Sequence, residues 1–248
     1  MTGDLRVASD APQRPSFPVM HQPHPSQTDR RTYRFTALFI SITVLEMLGD
    51  ELAVRWLHYG FKPLIMGSLM VYSQLGTSRR PSAWMGVGMV FALLGDVLLM
   101  IREVDLFAVG LGAFLLMQLS YSAAFWQSIR RQTTRLIHLR WQQALLFAGY
   151  LVAFLGMLYP AFLGTPALKP LWWPVVVYAI CLCTMGFLAS QRGPKAGASW
   201  VTIGALLFIL SDSAIAIDKF LMPIPGATVL IMSAYAAAQY LIVLGMLR

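Results

Sequence analysis

Charge is what this chain lacks most. Only 12% of its 248 residues are Asp, Glu, Lys or Arg, while 57% are hydrophobic and the mean hydropathy is +0.63. Soluble domains carry about 25% charged residues, and half of that leaves too little polar surface to cover a globule. A soluble enzyme and a disordered chain are therefore excluded as readings of the whole. Cysteine is also scarce: Cys181 and Cys183 are the two present. On a helix, residues two apart do not face each other, so no disulfide is expected between them. Histidine is limited to His21, His24, His58 and His138. Two fall before the first apolar run, and the others lie near an outer turn and in an inner loop, so neither a zinc site at helical spacing nor a Ser-His dyad is expected inside a span. No Walker loop or dinucleotide fingerprint is present. The expectation is a protein with no metal and no cofactor.

What is present is a series of apolar runs separated by basic residues. A helix needs about 20 apolar residues to cross the hydrocarbon core. Eight segments qualify from Phe35 onward, at 35–54, 62–77, 82–101, 105–127, 142–161, 171–190, 199–217 and 226–247. The predicted fold is an all-α membrane protein, a bundle of eight transmembrane helices with short connections that pack neighbours antiparallel. Residues 1–33 hold five of the 14 prolines and no apolar run, so they read as a disordered cytoplasmic tail before the membrane domain at 34–248. Lys62-Pro63 is expected to open the second helix, where proline is well tolerated.

The net charge of +8 does not point to nucleic acid, because the basic residues lie between apolar runs. With the N-terminus inside, Arg6, Arg14, Arg30, Arg31, Arg34, Arg79, Arg80, Arg130, Arg131, Arg135, Arg140, Arg192, Lys195 and Arg248 fall on one side. Arg55, Lys62, Arg102, Lys169 and Lys219 fall on the other. The bias predicts that both termini are cytoplasmic, and in a bacterium it places the chain in the inner membrane.

Acidic residues mark the candidate site. Asp96 and Asp212 each sit inside an apolar segment, where an aspartate costs about 2.5–3.5 kcal/mol on insertion scales. Carboxyl groups held at that cost point to a reaction or transport site. The two segments also resemble each other: Trp84 precedes Asp96, and Trp200 precedes Asp212, by the same interval, and a tyrosine-bearing span, with Tyr121 or Tyr235, follows each. This suggests a four-plus-four parallel internal repeat that would set the two aspartates face to face. Glu46 and Asp50 share a face of the first helix, which reads equally well as a cavity wall or a solvated outer mouth. Tyr121 and Gln118 on the fourth helix, and Tyr235 and Gln239 on the eighth, are polar groups that either join helices or touch a substrate. A transporter using the carboxylates for coupling and a non-catalytic lipid-binding scaffold are the rival classes.

The pieces Lys62-Pro-Leu64, Leu94-Gly-Asp-Val-Leu-Leu-Met100, Phe114 to Tyr121, Ser211-Asp212 with Ala216 and Phe220, and Tyr235 to Gln239 with Leu241-Ile242 resemble the YhhN family of membrane proteins, whose animal members are lysoplasmalogenases. The resemblance implies eight spans and hydrolysis of the vinyl ether bond of a lysoplasmalogen, releasing a fatty aldehyde and glycerophosphocholine or glycerophosphoethanolamine. Vinyl ethers open by protonation at carbon, so an acid and a group that stabilises the resulting cation are required. Paired carboxyl groups divide such labour in glycosidases, and a carboxyl group taken out of water keeps its proton to higher pH. Asp96 and Asp212 are the expected catalytic pair. Lys62, Tyr121, Tyr235 and Gln239 are the expected substrate-binding residues, with Arg55, Arg102 and Lys219 further candidates for the lipid phosphate.

Reporter fusions after Arg135 and after Arg248 are expected to report the cytoplasm. An outside signal from the second would mean an odd number of spans.

Overall fold

The computed structural model describes residues 27–77, 80–101, 104–131, 140–193 and 196–248. The expected tail up to residue 26 lies outside the described residues, as do Arg79, Arg102, Glu103, Arg135, His138 and Lys195. Among the described residues the chain is all helical: α1 (Gln27–Glu51), α2 (Arg55–Leu75), α3 (Ala83–Met100), α4 (Phe107–Arg130), α5 (Trp141–Gly164), a short 3₁₀ turn (Pro166–Leu171), α6 (Trp172–Ser190), α7 (Ala198–Phe220) and α8 (Ala227–Leu247). Among the described residues, six stretches are long and apolar enough to cross a membrane: Ala83–Met100, Phe107–Arg130, Trp141–Gly164, Pro166–Ser190, Ala198–Phe220 and Ala227–Leu247. Exposed tryptophans mark helix ends, with Trp56, Trp84, Trp141 and Trp173 in the first turns of α2, α3, α5 and α6. That is the interfacial aromatic pattern.

The last six helices follow the apolar runs closely, and the first two depart from them. Helix α1 begins at Gln27, and its first turns are tied down by Thr32, whose hydroxyl hydrogen-bonds that of Tyr72 at 2.9 Å. Helix α2 begins at Arg55, so Pro63 does not open it but sits within it. The ring removes one backbone donor, a loss that packed membrane helices absorb. The tight turn between them has Ala53 at a φ of +53°. Gly49 lets the two helices close: a Cβ there would lie 2.6 Å from Leu57 Cβ and 2.8 Å from the His58 backbone nitrogen. That approach carries His58 against Glu46.

Each helix packs on the next in sequence through α4, and again from α5 to α8. The halves meet where α4 packs on α6 and α8 packs on α1 and α2. The core runs the length of this seam, with Met66, Met89, Met117, Tyr121, Phe125, Phe208 and Ile242 fully buried. Helix α5 is peripheral; Leu158 and Phe162 are its buried side chains.

Helices α7 and α8 touch backbone to backbone. A Cβ at Gly204 would meet Ala238 O at 2.8 Å and Ile242 Cγ1 at 2.9 Å. Gly197 caps α7 with a φ of +76° and lies against the Gly245 carbonyl, so both its conformation and its space require glycine. Small residues at such contacts are how membrane helices gain packing contact. Gly204→Leu is expected to destabilise the protein by about 1–3 kcal/mol through overpacking, read as a lower unfolding midpoint in detergent. Gly86→Ala, where a Cβ has open space, is expected to show no loss.

Candidate active site

Five helices hold the two intramembrane aspartates. Asp96 lies one turn before the end of α3 and is 3% exposed. Its Oδ2 accepts a 2.7 Å hydrogen bond from the Tyr235 hydroxyl on α8. Lys62 and Glu46 are the charged groups near enough to act on it. Asp212, on α7, is half-buried. Its Oδ2 accepts from the Tyr178 hydroxyl of α6 at 2.5 Å and from Gln118 Nε2 of α4 at 3.5 Å. Each carboxylate thus has its own tyrosine, and no direct hydrogen bond joins them.

Helix α4 connects the two networks. Tyr121 donates to Gln239 Oε1 at 2.9 Å, and Gln239 Nε2 reaches Met117 Sδ at 3.3 Å. The next residue after Met117 is Gln118, which holds Asp212. One turn earlier, Phe114 packs edge-on to Tyr235, with ring centroids 5.9 Å apart. Gly95, the residue before Asp96, makes room for that ring: a Cβ there would lie 2.7 Å from Phe114 Cε2. The small residue preceding the aspartate therefore has a steric reason.

The surroundings of the two carboxylates differ. Asp212 opens onto a narrow apolar cleft of about 60 Å³ between α4, α5, α6 and α7, walled by Leu111, Phe114, Phe154, Leu182, Ala216 and Phe220. Asp96 does not line it. Tyr150 and Ser213, whose hydroxyls hydrogen-bond each other, line both this cleft and an outer groove between α5 and α7. The outer groove is walled by Leu146, Phe147, Leu206 and Leu210. At the other end of the cleft, Lys219 Nζ stands 4.4 Å over the Phe107 ring.

The expected site residues therefore separate. Tyr235, Gln239 and Tyr121 are buried connectors around Asp96, at 5%, 0% and 0% exposure. Lys62 stands with Asp96, while Lys219 stands at the mouth of the Asp212 cleft. Tyr178 was not anticipated, because a lone tyrosine in an apolar run reads as an interfacial anchor.

A third cluster shows that the face of Glu46 and Asp50, read equally as a cavity wall or a solvated mouth, is packed inside the bundle at Glu46. Glu46 is fully buried, and His58, in the first turn of α2, is 4% exposed. His58 Nδ1 lies 3.2 Å from Glu46 Oε1 and 3.4 Å from Asp50 Oδ1. Asp50 Oδ2 also accepts from the Thr228 hydroxyl at 3.0 Å. This knot ties α1, α2 and α8. Among the described residues, no group of three or more His, Cys, Asp or Glu side chains is arranged to hold a metal ion. Asp105 and Asp218 have local duties, accepting from the backbone N–H of Phe107 and of Ile224.

Fold and site together define a multi-pass helical membrane protein with a carboxylate at the end of an apolar cleft. The YhhN family model matches residues 57–246, and the chain belongs to the YhhN family. It is similar to the bovine protein named Lysoplasmalogenase TMEM86A, with 35% identity over 164 residues, 64% of this chain and 62% of that one. It is also similar to the Mycobacterium tuberculosis protein named Lysoplasmalogenase, 30% identical over 185 residues, 73% of this chain and 66% of that one. A shorter match, 45% identical over 75 residues, joins it to human Lysoplasmalogenase TMEM86B, covering 30% of this chain and 31% of that one. The chain thus matches rather less than two thirds of the length of the bovine relative. No solved structure matches it.

Tyr178→Phe is expected to leave the fold intact and to lower turnover about tenfold, the scale of a lost hydrogen bond to a charged group. The check is initial rate per folded molecule. An unchanged rate would remove Tyr178 from the site.

Proposed function

We propose that this protein is a membrane-embedded lysoplasmalogenase that hydrolyses the vinyl ether bond of a lysoplasmalogen by acid catalysis. The observation that carries the reading is Asp212, a carboxyl group held by Tyr178 and Gln118 at the end of an apolar cleft. The names of the relatives support it. The alkenyl chain lies among Phe114, Phe154, Leu182 and Phe220. The lipid phosphate faces Lys219 at the mouth, rather than Lys62, which is engaged beside Asp96.

The reaction needs one water and no other reactant. The Asp212 carboxyl gives its proton to the vinyl carbon remote from oxygen. The double-bond electrons form that C–H bond, and an oxocarbenium ion remains, stabilised by the new carboxylate. Water adds at the carbon bearing the ether oxygen and loses a proton to the carboxylate. The hemiacetal then collapses: its O–H proton leaves, the C–O bond to glycerol breaks, and the glycerol oxygen takes up a proton. The products are a fatty aldehyde and the glycerophospho head group. Asp96 acts from behind the cleft wall, fixing Tyr235 and through it Phe114, and adding negative charge that favours the cation.

We also read all eight helices as spanning, with both termini cytoplasmic and α1 and α2 carried across by the Glu46–His58 knot. The halves α1–α4 and α5–α8 follow the same order of neighbours, which supports a parallel repeat. A transporter is the lesser reading. The aspartate helices run unbroken by proline, whereas coupling sites of that kind are built on interrupted helices.

Asp212→Asn is expected to cut aldehyde release from lysoplasmalogen by at least about 10²-fold, the lower end of general acid catalysis, and Asp96→Asn by a smaller factor, each with folding retained. The double variant should be little worse than Asp212→Asn alone, since Asp96 supports the same protonation step. A folded Asp212→Asn protein with wild-type turnover would end the proposal. Lys219→Gln is expected to raise KM several-fold with kcat nearly unchanged, the mark of lost uniform binding.

A further inference from the structure

The opposite end of the bundle holds a second pocket. The start of α3, the last turn of α4, the α6–α7 connection and the end of α8 enclose it. Its walls carry Arg80, Arg131, Arg192 and Arg248 with Ser82 and Ser128, and no Asp or Glu among the described residues. It is remote from the aspartates. From Ser82 to Asp96, and from Ala198 to Asp212, the helices run 14 residues, about 21 Å at 1.5 Å per residue. A single lysophospholipid, whose phosphate lies a few bonds from its vinyl ether, cannot reach both ends.

Arginines at this end of a membrane bundle are expected for orientation alone. Arg192 is different. It is 3% exposed, although it lies in a connection between helices. Its Nε donates to Ser128 Oγ at 3.4 Å, and its Nη1 is buried with no hydrogen-bond partner among the described residues. Burial lowers its pKa to about 10, so at neutral pH the group remains a cation. A buried cation without a partner is strongly destabilising unless something supplies the counter-charge. The N-terminus of α3, capped by Ser82, adds the positive end of a helix dipole to the same space. Arg248 stacks on Trp200 at 3.6 Å, which fixes it at the rim.

The geometry points to a binding site for a phosphate-bearing anion in this pocket, with Arg192 at its floor, Arg80 and Arg131 at its rim, and the α3 N-terminus in its wall. Guanidinium groups match phosphate oxygens in pairs, and basic pockets between membrane helices on the cytoplasmic side take anionic lipid head groups. The shared chemistry is the phosphate group, carried either by such a lipid or by a soluble ion. The site is independent of the vinyl ether reaction and is read by binding alone.

The test uses the purified full chain in neutral detergent and follows its unfolding midpoint. One arm titrates inorganic phosphate against chloride at constant ionic strength. A second adds phosphatidylglycerol, with phosphatidylcholine as the zwitterionic control. Saturable stabilisation by phosphate, by phosphatidylglycerol or by both is expected, and the responding arm identifies the carrier. Arg192→Gln and Arg131→Gln should each weaken the response about tenfold. Asp212→Asn, at the other end, should leave it unchanged. Should Arg192→Gln fail to fold, Arg131→Gln at the exposed rim carries the same test. No saturable shift in either arm, or equal midpoints in the wild type and the arginine variants, overturns the site.

Discussion

A carboxyl group in the middle of a membrane bundle must be held by the bundle itself. Hydrocarbon offers no hydrogen bonds, and an orphaned buried polar group is costly. Much of the architecture follows from that constraint. Asp96 ties α3 to α8 through Tyr235, and Asp212 ties α7 to α6 and α4 through Tyr178 and Gln118. Glu46 ties α1 to α2 through His58. Each acid is a clasp between helices, so these buried carboxyl groups help set which helices are neighbours. In the Asp96 knot the clasp is sealed. In the Asp212 knot it opens onto a cleft, and under the proposed mechanism that difference separates a supporting carboxylate from one a substrate can touch.

The apolar runs made most of the fold legible. Helices α3 to α8 lie within a few residues of their runs, because length and hydropathy dictate where a span begins and ends. The first two helices were harder to read. Charges at Glu46, Asp50, Arg55 and Lys62 mask their apolar faces, and Pro63 imitates a helix start. What places them is Gly49, whose missing side chain lets α1 and α2 close on one another, and no hydropathy pattern carries that information.

The aspartates were legible because charge inside a span is rare and expensive. Their partners were legible only in part. Tyr235 and Gln239 stand one turn apart on one helix face and so read as a polar stripe, whereas Tyr178 stands alone among valines and alanines. The basic residues at the aspartate end could not be sorted by sequence at all. Lys62 and Lys219 share that end of the membrane, and only the packing of α2 beside α3, and of α7 beside α4 and α5, assigns one to Asp96 and the other to the cleft mouth.

The two ends of the bundle use charge in opposite ways. Every described acidic residue after the first turns of α1 falls toward the aspartate end, and the arginines accumulate at the other. Such segregation is the pattern by which basic residues orient chains in a membrane, and it leaves the arginine pocket without Asp or Glu among the described residues. At the aspartate end the deficit is met within the protein, by tyrosine hydroxyls, an amide, a histidine and a lysine. At the arginine end it is not: Arg192 is enclosed beside Ser128, and among the described residues no Asp or Glu lines the pocket around it. A charge pattern that serves insertion thereby also builds a receptor for an anion, and the same physics that makes an aspartate expensive in the membrane makes an unpartnered arginine there a demand for a ligand.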